Sequence, residues 1–215
     1  QVASELAALF SSARDFARSV EFYLLAARQA AEVYANAEAA ALAGRGLDVL
    51  KSLPDSPERD QKELSLQLAR GLALSITQGY AAPETGTCYA RSRELCQGTG
   101  EVPELFPVLV GLFGFYYIRG EQDSARQIAE QILKMARPTG DRVRLTAAHM
   151  ALGHTLVVRG ELIDGRQNLE LSISFHDADQ HQTYRSLLRL DPGIYSLAQI
   201  TRVLWLLGYS DQSRQ

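Results

Sequence analysis

Four glycines set the rhythm of this chain. Gly79, Gly120, Gly160 and Gly208 each follow an apolar stretch and precede a more polar one, in the strings QGYAAPE, RGEQDSA, RGELIDG and LGYSDQS. They recur at intervals of 41, 40 and 48 residues. A glycine after an apolar helix supplies the left-handed residue that ends it. Ala125, Gly165 and Ser213 each stand five residues past their glycine, where a small side chain lets paired helices approach; Glu84 breaks the pattern in the first unit. One such unit cannot bury its apolar face alone, so several must stack. The expected fold is all-α: a right-handed α-solenoid of stacked antiparallel helical hairpins, roughly ten helices in all, with no sheet.

The remaining punctuation is helical too. Leu6, Leu9 and Phe10 share a face of a first helix that turns at 13–15. A long helix is predicted from Phe16 to Tyr34, with Val20, Tyr23, Leu24 and Ala27 at helical spacing, and another from Ala37 to Leu53. Ser56 is placed to cap a helix whose first residue is Pro57. Pro83, Pro103 and Pro192 mark further helix starts, and Asp141 and Asp191 further caps. The longest apolar run, Leu105 to Ile118, falls short of the ~20 residues a membrane span needs and contains Pro107, Gly111 and Gly114. It reads as a helix buried between neighbours. The whole chain, 1–215, is taken as one repeat domain: N-terminal helices in 1–55, units at 56–100, 101–138 and 139–180, and an incomplete unit at 181–215. It opens on QVASELAALF, already in helical rhythm, and closes on GYSDQSRQ as a new helix begins, so it is read as a piece of a longer protein.

Composition narrows the function classes. Hydrophobic residues make up 46% and charged residues 22%, the balance of an ordinary folded chain. The net charge is −3, and the only lysines are Lys51, Lys62 and Lys134. A general nucleic-acid binder needs a dense basic face, and none is present. Cys88 and Cys96 fall eight residues apart on one predicted helix, about 12 Å along its axis. That is too far for a disulfide, and a reducing cytoplasm is the simplest compartment. No CxxC pair offers a zinc site.

The segment ALGHTLVVRGELIDGRQNL, residues 151–169, resembles a tetratricopeptide (TPR) unit in its Leu152-Gly153 pair, its Gly160-Glu161 turn and its small Gly165. The TPR period is about 34 residues, so these units are extended. A narrower resemblance spans nearly the whole chain. SLPDSPERDQKELSLQLARGLAL, QGYAAPE, YARSRELCQ, ELFPVLVGL, RGEQDSARQIAEQIL and DPGIYSLAQITRVLWLLGYSDQS are similar to the TPR-like region of large bacterial signalling proteins. There a STAND-type predicted ATPase precedes the repeats, often with a class III adenylate/guanylate cyclase domain at the N-terminal end. Arg14, in place of a turn glycine, and Thr87-Cys88, in place of longer polar residues, depart from that pattern. The resemblance implies a regulatory scaffold, not the catalytic part. No phosphate-binding G-x-x-x-x-G-K-S/T loop occurs, and no catalytic residue, metal or cofactor is assigned to this segment.

The stretch SFHDADQHQTY, residues 174–184, holds His176, Asp177, Asp179 and His181 and invites a metal reading. It also lies between two predicted helices, where polar residues collect, and is read as a connection in which His181 bonds a helix end. His149 and His154 stand five apart, about 140° around a helix, and cannot face one ligand; each is read as surface or groove. GTCYARSRELC has no histidine nearby to activate a cysteine. Counting back from the turn glycines places Val110, Gly114 and Tyr117, then Met150, His154 and Val157, then Tyr195, Arg202 and Trp205 on the inner face. Of these, Tyr117, Met150, His154, Arg202 and Trp205 form the candidate binding surface, since Met, Tyr, Trp and Arg are favoured at protein contacts. Tyr117, Met150 and His154 are the contact residues expected foremost, and Trp205 is expected to serve as core by closing the stack against a further C-terminal helix. The function expected is binding of a protein segment, or of the chain's own ATPase domain. The alternative is a sensor that holds a small molecule in the groove near Tyr117, His154 and Trp205.

Overall fold

A computed structural model describes residues 2–97, 103–188, 190–209 and 211–212, and among them there is no strand. Eleven α-helices follow one another among the described residues: α1 (Val2–Ser12), α2 (Phe16–Glu32), α3 (Asn36–Leu50), α4 (Pro57–Thr77), α5 (Pro83–Gln97), α6 (Leu105–Ile118), α7 (Gln122–Ala136), α8 (Arg142–Val158), α9 (Leu162–Phe175), α10 (His181–Leu188) and α11 (Pro192–Leu206). Short 3-10 turns at Arg137–Thr139 and Ala178–Gln180 lead into α8 and α10. The chain divides into two compact units, 1–115 and 116–215, with the boundary inside α6. No helix among the described residues is long and apolar enough to cross a membrane.

In the first unit α1 packs on α2, α2 on α3, α3 on α4 and α4 on α5. Its core is dominated by alanine. Ala3, Ala7, Ala27, Ala39 and Ala43 are buried with Val20, Leu50 and Leu66. This corrects the expected face of α1. Ala3 and Ala7 point inward, whereas Leu9 is 65% exposed. The small stripe lets the α1 and α2 backbones approach closely enough for the Ser19 hydroxyl to donate to the Ala7 carbonyl at 2.8 Å. Larger side chains work at the rim, where Phe10 stacks on Phe22 at 5.3 Å and the Arg18 guanidinium covers Phe10. Val20, Tyr23 and Ala27 of α2 are buried as their spacing predicts. Cys88 and Cys96 both lie on α5, buried and free.

The hairpin turns share one hydrogen-bond pattern. At 14, 34, 120, 160 and 208 a residue takes positive φ. Its N–H bonds the carbonyl three residues back, and the next N–H bonds the carbonyl five residues back, as in Gly160 to Val157 and Glu161 to Leu156. This double closure satisfies the last carbonyls of each helix. Glycine supplies three of the five positions. Arg14 (φ 60°) and Tyr34 (φ 61°) supply the others despite their side chains. Ser56, Asp141 and Asp191 cap α4, α8 and α11 through their side-chain oxygens, with Pro57 and Pro192 at the first helical positions. Pro83 opens α5, whereas Pro103 precedes α6 by two residues. Ser213 lies outside the described residues.

In the second unit α8 is central and packs on α7 and α9, while α11 packs on α9 and α8. Leu145 to Val157 is buried almost all the way round the helix. Gly153 and Gly165 bring α8 and α9 into near backbone contact: a Cβ on Gly153 would stand 2.9 Å from Leu169 Cγ and 3.1 Å from the Gly165 carbonyl oxygen. Val157, Leu169 and Val203 close the core where α8, α9 and α11 meet.

Charges tie successive turns together along one edge of this unit. Arg126 on α7 reaches Glu161 at 3.0 Å. Arg159 binds both Glu161 and Asp123. Forty residues after Arg126, Arg166 covers the ring of Tyr209 at 5.9 Å in the next turn.

Candidate functional site

The second unit gathers three of the expected inner-face residues into one cluster. His154, on α8, is 3% exposed. Its ring lies 4.3 Å from Tyr195 of α11 and 5.4 Å from Tyr117 at the end of α6, measured between centroids and tilted in both cases. His154 Nε2 is buried without a hydrogen-bond partner. Two glutamines of the same unit also carry buried oxygens without partners, Gln122 Oε1 and Gln199 Oε1. Gln199 falls one turn beyond Tyr195 on α11, and the Gln122 amide donates to the Tyr117 carbonyl at 3.4 Å. Neither glutamine was singled out by sequence reasoning; the i, i+4 relation of Tyr195 and Gln199 was the available signal.

Burial and the charge of Arg202 shape the electrostatics of the cluster. Burial, then Arg202, push the His154 imidazole down to about 4, so it is neutral near pH 7. Burial raises both phenols. The neighbouring Tyr195 adds to the rise at Tyr117, and Arg202 opposes it at each. Arg202 itself is exposed and has no carboxylate partner among the described residues. The cluster thus sets neutral aromatic rings beside the positive charge of Arg202.

The other expected residues divide. Met150, one turn before His154, is 6% exposed and packs as core. Val157 is core as well. Trp205 is 66% exposed. The reason is geometric. Val203 faces α8 and α9, and a residue two positions on is turned about 200° away. Ile194 and Leu197 share the outward side of α11 with Trp205 and are also exposed. Val110 and Gly114 belong to the 1–115 unit, where a Cβ on Gly114 would meet Tyr80 at 2.6 Å.

His149, expected at the surface or groove, is buried instead. Its Nδ1–H donates to Asn168 Oδ1 at 3.0 Å and its ring stacks on Phe175. The His/Asp stretch is a joint between α9 and α10. Asp177 accepts the Asp179 N–H and caps the 3-10 turn. His176 stacks on Tyr184 and places Nε2 3.0 Å from Asp191 Oδ1, off the axis of an aligned hydrogen bond. His181 Nδ1 lies 3.7 Å from the other oxygen. Asp191 also accepts the Gly193 and Ile194 N–H groups at the start of α11. Burial opposes its ionisation, but those N–H groups and the two histidines outweigh it and hold the carboxyl below its ordinary range. Among the described residues no group of three or more His, Cys, Asp or Glu is arranged to hold a metal ion.

Two comparisons return nothing: no protein-family profile and no curated protein matches the chain. Solved structures do. The crystal structure of the nearly identical TPR-like repeats of a Podosopora anserina kinesin light chain candidate has a TM-score of 0.67, at 17% identity, covering 91% of this chain and 90% of that one. A point variant of the same protein has a TM-score of 0.68, at 17% identity, with 91% and 89% covered. At that identity the likeness concerns the fold, and the fold of this chain is TPR-like: antiparallel helical hairpins in succession, without strands among the described residues.

Proposed function

We propose that the chain is a non-enzymatic TPR-like scaffold that holds a protein segment, or a neighbouring domain of its own parent protein, against Tyr117, His154, Tyr195 and Arg202. The observation that carries this reading is the aromatic cluster itself: two half-buried tyrosines against a buried imidazole whose Nε2 lacks a partner, with Arg202 beside them and without a carboxylate partner among the described residues. A buried polar group without a hydrogen bond costs about 1–3 kcal/mol. A chain tolerates such a group most readily where a ligand can supply the bond. The fold supports the scaffold part, because successive repeats present side chains from several helices on one side. The regulatory part follows the STAND-type resemblance, and with it a cytoplasmic setting as the control region of a signalling ATPase or cyclase.

A small-molecule sensor is the second reading, favoured by the same Nε2, since a compact ligand with one hydrogen-bonding group would satisfy it. Selection of a phage-displayed random peptide library on the folded chain tests the first reading. Peptides whose affinity falls at least tenfold in both Tyr117→Ala and Tyr195→Ala support it. Selected peptides indifferent to both substitutions would overturn it.

A further inference from the structure

The same cluster carries a statement about what its ligand looks like, and that statement rests on the scaffold reading. Several arginines of the 116–215 unit already have carboxylate partners. Arg119 is on Glu121, Arg126 on Glu130 and Glu161, Arg159 on Asp123 and Glu161, and Arg166 on Glu170. Arg202 has none among the described residues, and it stands one helical turn from Leu206 and two from Tyr195 on α11. Its charge acts on Tyr117, His154 and Tyr195 alike. The nearby imidazole is neutral, and burial keeps both phenols protonated. An exposed cation with no carboxylate partner among the described residues, set beside aromatic walls, is complementary to a single negative charge.

We propose that the Tyr117–His154–Tyr195–Arg202 cluster binds an acidic side chain of a partner segment, with its carboxylate on the Arg202 guanidinium and its flanking residues against the two tyrosine rings. Arg202 anchors the carboxylate and His154 forms the floor on which Tyr195 rests. A peptide source fits better than a free anion, because one exposed guanidinium in water holds a lone carboxylate weakly and the tyrosine faces add the apolar contact that a peptide brings.

The test uses the intact chain and the peptides selected as above. Selected sequences should share an Asp or Glu. Changing that residue to Asn or Gln should weaken binding about tenfold, and Arg202→Gln should do the same while leaving the thermal midpoint in place. The two changes together should weaken it no further. Arg202→Glu should restore affinity for a peptide carrying Lys at the shared position. Binding at the tyrosines by peptides without an acidic residue, unaffected by Arg202→Gln, would overturn the anionic proposal and leave the scaffold reading standing. Peptides that ignore Tyr117→Ala and Tyr195→Ala would overturn both. Competition by acetate or inorganic phosphate as effective as the peptide would overturn the segment as ligand in favour of a free anion.

Discussion

Protonating His154 would put a charge where burial gives it no compensation and Arg202 repels it. The imidazole is held near 4 in the fold, against 6.5 for an ordinary histidine. Its neutral form therefore contributes stability that is complete above pH 6.5 and is lost as pH falls toward 4, on the order of 3 kcal/mol in total. His149, pushed down by burial against its Asn168 bond, acts in the same direction. Carboxylates titrate over the same range, so the effect is read as a difference: urea unfolding of the wild type should weaken more steeply than that of His154→Leu between pH 6.5 and 4. Near pH 7 the same substitution should cost less than about 1 kcal/mol, because it removes a polar atom that has no partner to lose. Parallel pH profiles for the two proteins would sink this account. Trp205 gives the complementary case. It is exposed, so Trp205→Ala should change stability by less than about 0.5 kcal/mol, and its fluorescence should be quenched freely by iodide.

At the scale of the element, the turns and the close helix pair make opposite predictions. Arg14 and Tyr34 hold a left-handed conformation that costs a non-glycine residue roughly 1–2 kcal/mol. Arg14→Gly should therefore raise stability by about 0.5–1 kcal/mol, after the larger entropy glycine loses from the unfolded chain, as measured by the urea midpoint. Gly153→Ala should lower it by about 2–3 kcal/mol, because the new methyl meets the backbone of α9 and not a movable side-chain tip. These elements also show what the sequence displays and what it hides. Gly120, Gly160 and Gly208 announce their turns, and Ser56, Asp141 and Asp191 their caps, because each is a local rule. Tyr34 announces nothing: its turn is imposed by α2 and α3 packing on both sides. Leu9 misled for a related reason. Hydrophobicity alone favours leucine inside, but close helix packing selects Ala3 and Ala7.

At the scale of the molecule, the candidate site was legible in part. Tyr117, His154, Tyr195 and Arg202 could be placed on a common side by counting back from glycines, since the hairpin repeat carries that information. Their mutual distances, the missing partner of Nε2 and the lack of a carboxylate on Arg202 among the described residues depend on tertiary placement and could not be read. Tyr184, fully buried and accepting the Asp177 N–H, is another such case. The two units consist of neighbouring helices packed in sequence order, so their contacts are local, and refolding from urea should have a main phase of milliseconds or faster. A dominant phase of many seconds in stopped-flow fluorescence would contradict that assignment.

The ladder of turns has a consequence for chain length. Arg126 meets Glu161 in the following turn, and Arg166, forty positions later, meets Tyr209, although the turn glycines are 40 residues apart from Gly120 to Gly160 and 48 apart from Gly160 to Gly208. The extra residues are absorbed in the joint from Ala178 to Leu188, where His176 and His181 close on Asp191 and bring the chain back to the start of α11. That joint behaves as an expansion gap. Residues can be added or removed there while the turns on either side keep their partners, so insertions at 178–180 should be tolerated where insertions inside α8 or α9 are not.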